Sequence, residues 1–237
     1  MARPARIEFP GAFYHVTSRG NDKKNIFSSN LDRARFLDFL QIGHDRYGAI
    51  IHVYCLMGNH FHLLLETPQG NLSKIMHFIN CSYSMYFNAT HERYGHFLQG
   101  RYKAILIEAE SYIQSLSRYV HLNPVRAGLV SLPESYPWSS YREYLGLRKA
   151  PDWLRIEFLL SSFGEMPEQA RSRYAEFVGT STLQTVDDPF INMRCSFILG
   201  RDNFVERYKK LSEGLSEGSG LDLTPSFPNF NRRGEQA

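Results

Sequence analysis

Two β-rich runs at the centre of this chain, residues 50–57 and 60–66, are joined only by Gly58-Asn59. A link that short closes a tight hairpin, because glycine and asparagine tolerate the positive φ that such turns require. Whatever else the chain forms must be built around that hairpin. A strict two-residue turn sets Met57 opposite His60, so Val53, Cys55, His60 and His62 share one face of the strand pair and Phe61 points to the other. Residues 13–19 alternate as a strand and lead into the polar turn 20–25. Leu31, Ala34, Phe36, Leu37, Phe39, Leu40 and Ile42 then carry helical spacing as far as Gly48, which marks a helix end. Residues 71–90 predict a second helix, capped by Asn71, with Leu72, Ile75, Met76, Ile79, Tyr83 and Phe87 as its apolar stripe. Residues 102–107 read as a fourth strand. A third helix is expected from about Ser111, burying Ile113, Leu116 and Val120 and ending around Asn123, because Pro124 has no N–H to continue the ladder.

The order β-α-β-β-α-β followed by a helix predicts an α+β fold, a ferredoxin-like split βαβ antiparallel sheet with an added helix. Two helices cover one face of such a sheet. The histidine face needs an apolar cover of its own, and the third helix is the candidate. After residue 146 the character changes: residues 153–163, 168–177 and 203–211 read as short helices, and residues 212–237 are rich in Gly, Ser, Pro and Asn. The expected organisation is a catalytic-type domain over 1–146, a small helical C-terminal appendage over 147–211 and a disordered tail over 212–237.

With 237 residues, 43% of them hydrophobic, the chain can bury a proper core. Its three cysteines, Cys55, Cys81 and Cys195, are far apart and form no C-x-x-C pair, so neither a disulfide framework nor a zinc-thiolate site is indicated. The first residues lack the apolar core of a secretion signal, and no apolar run reaches membrane-spanning length, which predicts a cytoplasmic protein without a membrane partner. The net charge of +3 is unevenly spread. Residues 1–149 hold 17 Lys and Arg against 11 Asp and Glu, whereas residues 150–237 hold 10 against 13. The basic excess lies in the histidine-bearing part, as a polyanion-binding surface would require.

His60 and His62, two apart on a strand, offer two imidazoles to one metal ion while Phe61 anchors the strand. With nine histidines in the chain the spacing alone has little weight; composition produces it in roughly one such chain in three. Taken alone, the pair reads first as hydrogen-bonded strand histidines. The third helix adds Tyr119 and Asn123, four apart and therefore on one helix face. Two histidine nitrogens and one amide oxygen make an open metal site that can polarise a phosphate, and a tyrosine hydroxyl beside that phosphate can attack it. His15, His52 and His121 lie near by this layout and read as structural or as minor contacts.

Four segments carry a resemblance: Met57-Gly58-Asn59-His60-Phe61-His62-Leu63, Gln99-Gly100-Arg101-Tyr102-Lys103-Ala104, Tyr119-Val120-His121-Leu122-Asn123-Pro124-Val125-Arg126-Ala127-Gly128 and Tyr136-Pro137-Trp138-Ser139-Ser140-Tyr141. Over roughly residues 5–145 the chain resembles the single-tyrosine HUH transposases, named for a histidine, hydrophobic residue, histidine motif, and more narrowly the REP-associated tyrosine transposases. The resemblance implies that His60 and His62 bind a divalent cation, Mg²⁺ or Mn²⁺, that Tyr119 is the nucleophile, and that Asn123 stands where insertion-sequence relatives often have glutamine as third ligand. It implies cleavage and rejoining of single-stranded DNA beside hairpins, such as REP-like palindromes, through a 5′-phosphotyrosine. It also implies a monomer with Tyr119 acting in cis, where insertion-sequence relatives work as dimers. Arg3, Arg6, Arg19, Lys23, Lys24, Arg101, Lys103 and Arg126 are the candidate DNA contacts.

Two other functions fit parts of the pattern. A ferredoxin-like sheet can bind RNA or DNA without catalysis, although RRM sheets present aromatic motifs rather than a histidine pair. A metal-dependent phosphodiesterase could use the same histidines with an activated water and form no covalent intermediate.

Overall fold

The computed structural model describes residues 7–179, 188–191, 193 and 195–216 of the chain. The hairpin forms with the register its turn dictates: strand β2 (Ile50–Leu56) and strand β3 (His60–Thr67) place Leu56 opposite Phe61, Cys55 opposite His62 and Val53 opposite Leu64. A bulge at His52 shifts the pairing by one residue, so Ile51 meets Leu65. Strand β1 (Ala12–Arg19) pairs antiparallel with β3 and, on its other side, with β4 (Lys103–Ile107). The order β2-β3-β1-β4 is that of the split βαβ arrangement predicted from the sequence.

Helix α1 (Asn30–Tyr47) starts in a capping box: Ser29 Oγ accepts the Asp32 N–H, and the Asp32 carboxylate accepts the Ser29 N–H at 2.8 Å. It ends at Gly48, whose φ of 65° a side chain would resist. Helix α2 (Leu72–Thr90) buries the predicted stripe, from Leu72 to Phe87. Asn71 occupies its N-cap position, but its side-chain amide donates to the Tyr47 carbonyl and caps nothing; it ties α2 to the end of α1 instead. The two helices pack together on the Phe61 face, where Phe36 meets Phe61 at 4.7 Å between ring centroids. Burying an aromatic ring of that kind contributes about 2 kcal/mol. The opposite face of the sheet is left for the histidines.

Helix α3 (Ala109–Arg126) covers that face, packing on β2. It begins earlier than the apolar spacing indicated and runs through Pro124 to Arg126 rather than stopping at Asn123. The missing N–H of Pro124 is tolerated because Leu122 and Pro124 are both buried, and the Asn123 side-chain amide donates to the Tyr119 carbonyl in the affected turn. Tyr119 and Asn123 therefore lie on one continuous helix.

The remaining chain packs on the same apolar core. Helix α4 (Tyr141–Tyr144) follows a loop whose Ser139 bridges to Cys55 of β2. The expected helix over 153–163 is only the single turn α5 (Glu157–Leu160), with Leu154 bridging instead to Ile51. Helix α6 (Pro167–Gly179) packs against α3. A short strand that the sequence did not announce, β5 (Ile198–Leu199), adds in parallel to β4 and extends the sheet to five strands. Helix α7 (Asp202–Ser216) continues into the segment expected to be disordered from residue 212; residues 217–237 lie outside the described residues. Among the described residues no helix is long and apolar enough to cross a membrane.

Candidate active site

Residues of β1, β3 and α3 meet on the face opposite α1 and α2. On β3, His60 stands across from Arg19 and His62 across from Thr17. Their rings are edge to face, 4.9 Å between centroids. From above, α3 lowers Tyr119 onto His62, again edge to face, at 6.1 Å between centroids. Sequence reasoning placed His60, His62 and Tyr119 together, and the structure does so within one chain.

His15, read as structural or a minor contact, lies within this cluster. Its Nε2 lies 2.9 Å from Nδ1 of His62, the two rings lie edge to edge and nearly coplanar with 13° between planes, and Tyr119 meets the His15 ring edge-on at 6.4 Å. The signal lies in the strand pairing: β1 and β3 run antiparallel with His15 two pairs along from His62, and so on the same face. Phe190 is a second addition. It stacks on His15 at 5.2 Å and contacts Tyr119 edge-on at 5.3 Å, and no sequence pattern announced it.

The nitrogens of these rings are not equally engaged. His60 Nδ1 is 2.6 Å from Asn59 Oδ1, and Asn59 Nδ2 in turn donates to the Lys23 carbonyl, which fixes the amide orientation. His60 therefore donates from Nδ1 and keeps Nε2 open. In His62, Nδ1 faces His15 and Nε2 is buried without a partner; His15 Nδ1 is likewise buried and unpartnered. Buried orphan nitrogens are costly unless something completes them. Two Nε2 atoms, one of them desolvated and unsatisfied, fit a divalent cation. Among the described residues no three His, Cys, Asp or Glu side chains gather as a metal-holding group, so further donors must be neutral oxygens or a bound phosphate. Asn123 is half-buried one turn beyond Tyr119, with its amide nitrogen engaged on the Tyr119 carbonyl; Oδ1 is the atom it could offer.

Burial sets the protonation states. Desolvation pushes the His15 imidazolium down to about 3, with Lys103 adding to the effect. It holds His62 well below the usual imidazole range, reinforced by His15, His60 and Arg126, and lowers His60, where Arg19 contributes. All three rings are neutral near pH 7, as metal ligands must be. The Tyr119 phenol is raised by burial, and Arg126 opposes that shift from a position 4.8 Å above the ring, while Asp188 adds to it.

The basic candidates divide. Arg19 is exposed beside His60 and holds Gln99 Oε1 at 2.8 Å. Lys103 is exposed across from Thr17, on the histidine face. Lys23 and Lys24 are exposed on the loop after β1, and Arg101 is exposed just before β4. Backbone bonds from Asn21 to Phe97 and from Gln99 to Arg19 hold these two segments side by side, so the five cations rim one end of the sheet. Arg126 stands over Tyr119. Arg3 and Arg6 lie outside the described residues. His52 is bonded to the Arg155 carbonyl and to Glu66, and His121 is buried in a separate polar cluster behind α3.

Residues 9–123 match the model of the family described as Transposase IS200 like. Over these residues, just under half of the chain, the protein is similar to the IS200-like transposases. The match begins just before β1 and ends at Asn123, so it contains strands β1 to β4 and Tyr119 with both histidines, but not β5. No curated protein matches the chain. A solved structure of a REP-associated tyrosine transposase bound to a REP hairpin has the same fold, with a TM-score of 0.53 and 16% identity over 64% of this chain and 89% of that chain.

Proposed function

We propose that this chain is a transposase that cleaves and rejoins single-stranded DNA beside hairpins, with Tyr119 as nucleophile and a 5′-phosphotyrosine as intermediate. One observation carries the reading: Tyr119 packs on His62, whose buried Nε2 has no partner in the protein. His60 and His62 would hold Mg²⁺ or Mn²⁺ through Nε2, with Asn123 Oδ1 as third donor. When bound, the cation would draw charge from a phosphate oxygen and so make the phosphorus more electrophilic. The chain's own groups do the rest. Tyr119 Oη gives up its proton and bonds to phosphorus; the bond from phosphorus to the 3′ oxygen breaks, and that oxygen leaves with a proton as a free 3′-OH. Attack by a 3′-OH on the phosphotyrosine reverses the sequence and returns the phenol. Arg126 favours the phenolate at both stages, because its guanidinium lies over the ring and opposes the rise that burial imposes on the phenol. Phe190 and the cover of α3 exclude water from the nucleophile's inner face.

Arg19, Lys23, Lys24, Arg101 and Lys103 form the rim along which the DNA backbone enters, and Arg3 and Arg6 join them in this proposal. The hairpin partner, REP-like palindromes, is taken from the solved relative, which is bound to one. Because Tyr119 rests on a histidine of its own chain, a monomer acting in cis is sufficient. We assign the chemistry to residues 1–146 and treat 147–211 as an accessory to it, in a cytoplasmic protein.

Labelled single-stranded DNA carrying a hairpin, incubated with the protein and Mn²⁺ and run on a denaturing gel, tests this. A protein-linked DNA band is expected, absent in Tyr119→Phe and in His60→Ala or His62→Ala. Cleavage that persists in Tyr119→Phe would favour a water-using phosphodiesterase instead. Hairpin binding without any cleavage would favour a non-catalytic module.

A further inference from the structure

We propose that His15 is a positioning residue for His62: its Nε2 accepts the Nδ1 proton of His62 and thereby fixes the tautomer that leaves His62 Nε2 free for a cation. The proposal rests on the metal reading above. The geometry provides the bond, with 2.9 Å between the two nitrogens, and both atoms are buried. It does not by itself say which ring donates. If His15 donated, His62 would carry its proton on Nε2, where it has no acceptor and blocks coordination. If His62 donates, its Nε2 lone pair faces the space beneath Tyr119, and His15 carries its own proton on Nδ1. Both arrangements leave two buried nitrogens unpaired in the free protein. A cation on His62 Nε2 removes one of them in the second arrangement only, so binding selects it.

The neighbouring ligand uses the same device with a different acceptor. Asn59 Oδ1 receives the His60 Nδ1 proton, and the bond from Asn59 Nδ2 to the Lys23 carbonyl leaves that amide no other orientation. Each imidazole of the pair is thus held from its Nδ1 side by an acceptor, His62 by His15 of β1 and His60 by the adjacent Asn59, and each presents Nε2. Second partners of this kind orient a ligand ring and raise its basicity. The stack of Phe190 on His15 keeps the acceptor ring in plane with His62.

Two variants separate acceptor from filler. His15→Phe preserves a flat ring of similar volume without an acceptor, and His15→Gln restores an amide oxygen close to where Nε2 stood. Mn²⁺ binding to the metal-free protein, read by the electron paramagnetic resonance of free Mn²⁺, is expected to weaken about tenfold or more in His15→Phe and to return most of the way in His15→Gln. Imidazole ¹⁵N shifts of the Mg²⁺-loaded wild type should show protons on Nδ1 of both His62 and His15. An Nε2 proton on His15 in that state would overturn the proposal without any variant, and so would wild-type Mn²⁺ affinity in His15→Phe. If the wild type bound no Mn²⁺, or His62→Ala bound it as well as wild type, the metal reading itself would fall. Binding that is lost in His62→Ala but unchanged in His15→Phe would leave that reading standing and remove only the role of His15.

Discussion

Helix α3 separates two buried histidine clusters that have opposite hydrogen-bond states. On its sheet side, beside Tyr119, His15 and His62 share one bond and keep one orphan nitrogen each. On its other side, two residues along, His121 has both nitrogens bonded: Nε2 to Ser140 Oγ at 2.8 Å and Nδ1 to Tyr174 Oη at 2.7 Å. The bonds around His121 run in one direction without a gap. With the His121 proton on Nδ1, Tyr54 N–H donates to Ser140 Oγ, Ser140 to His121, His121 to Tyr174, Tyr174 to Ser117 Oγ, and Ser117 to the Gln114 carbonyl; with it on Nε2, Ser140 donates to the Tyr54 carbonyl instead. Every donor in that chain has an acceptor, and β2, the loop before α4, α3 and α6 are joined by it. A cluster completed by the protein is a structural joint, whereas one that leaves nitrogens open is incomplete until something else binds. The same residue type thus serves two purposes on opposite sides of one helix, and the count of satisfied nitrogens tells them apart.

The largest expected effect breaks the joint. His121→Ala removes two hydrogen bonds and opens a cavity in a fully buried site, and should lower the unfolding free energy by about 3 kcal/mol in urea denaturation of the metal-free protein. His62→Leu should cost no more than about 1 kcal/mol in the same measurement, because it deletes one orphan nitrogen while orphaning another, Nε2 of His15. Its loss is in Mn²⁺ binding, which His121→Ala retains wherever it is folded. If the two variants destabilised equally, the division between joint and site would be wrong.

How far the sequence reached follows the same division. The hairpin register, the strand order and the meeting of His60, His62 and Tyr119 were legible, because period-two alternation and helical spacing fix which side chains share a face. The run of α3 through Pro124 was not. A proline rule describes the backbone alone, and here burial of Leu122 and Pro124 outweighs the lost bond. Strand β5 was too short to alternate, and its place is set by the edge of β4 rather than by its own two residues. His15 was visible as a residue but not as a partner of His62, since a diagonal cross-strand contact requires the pairing of β1 with β3 before it can be seen. Phe190 reaches the site from a segment with no periodic signal, and Tyr174 completes the His121 cluster from a helix fifty residues away along the chain.

A pH series sharpens the comparison at intermediate size. Burial holds the His121 imidazolium down at about 3, against 6.5 for a free imidazole. Below 6.5 the unfolded chain takes up a proton there that the folded chain refuses, so stability falls as pH drops from 6.5 towards 3 and is fully present above that window. At pH 5.5 the contribution is about 1.4 kcal/mol relative to pH 8. His121→Gln has no such proton to take up. The wild-type unfolding free energy should therefore decline more steeply than that of His121→Gln over this range, by about one proton in slope. Parallel curves would mean that His121 titrates normally in the folded protein, and then the chain of bonds drawn through it is not intact.

The smallest effect tests whether the two sides of α3 are independent. Tyr174→Phe removes one acceptor from His121 Nδ1 and leaves Ser117 still donating to the Gln114 carbonyl. His121 has a way to limit the damage: its proton can move to Nε2 and donate to Ser140 Oγ, so that the unpaired atom is an acceptor rather than an N–H. Ser140 keeps the Tyr54 backbone as its other partner. The expected cost is about 1 kcal/mol in unfolding free energy. Mn²⁺ affinity should stay within about twofold of wild type, since Tyr119 and His121 point from opposite sides of the helix and share no hydrogen-bond partner. A larger drop in Mn²⁺ affinity would show that α6 sets the position of Tyr119 over His62 through α3, and the joint would then be part of the site.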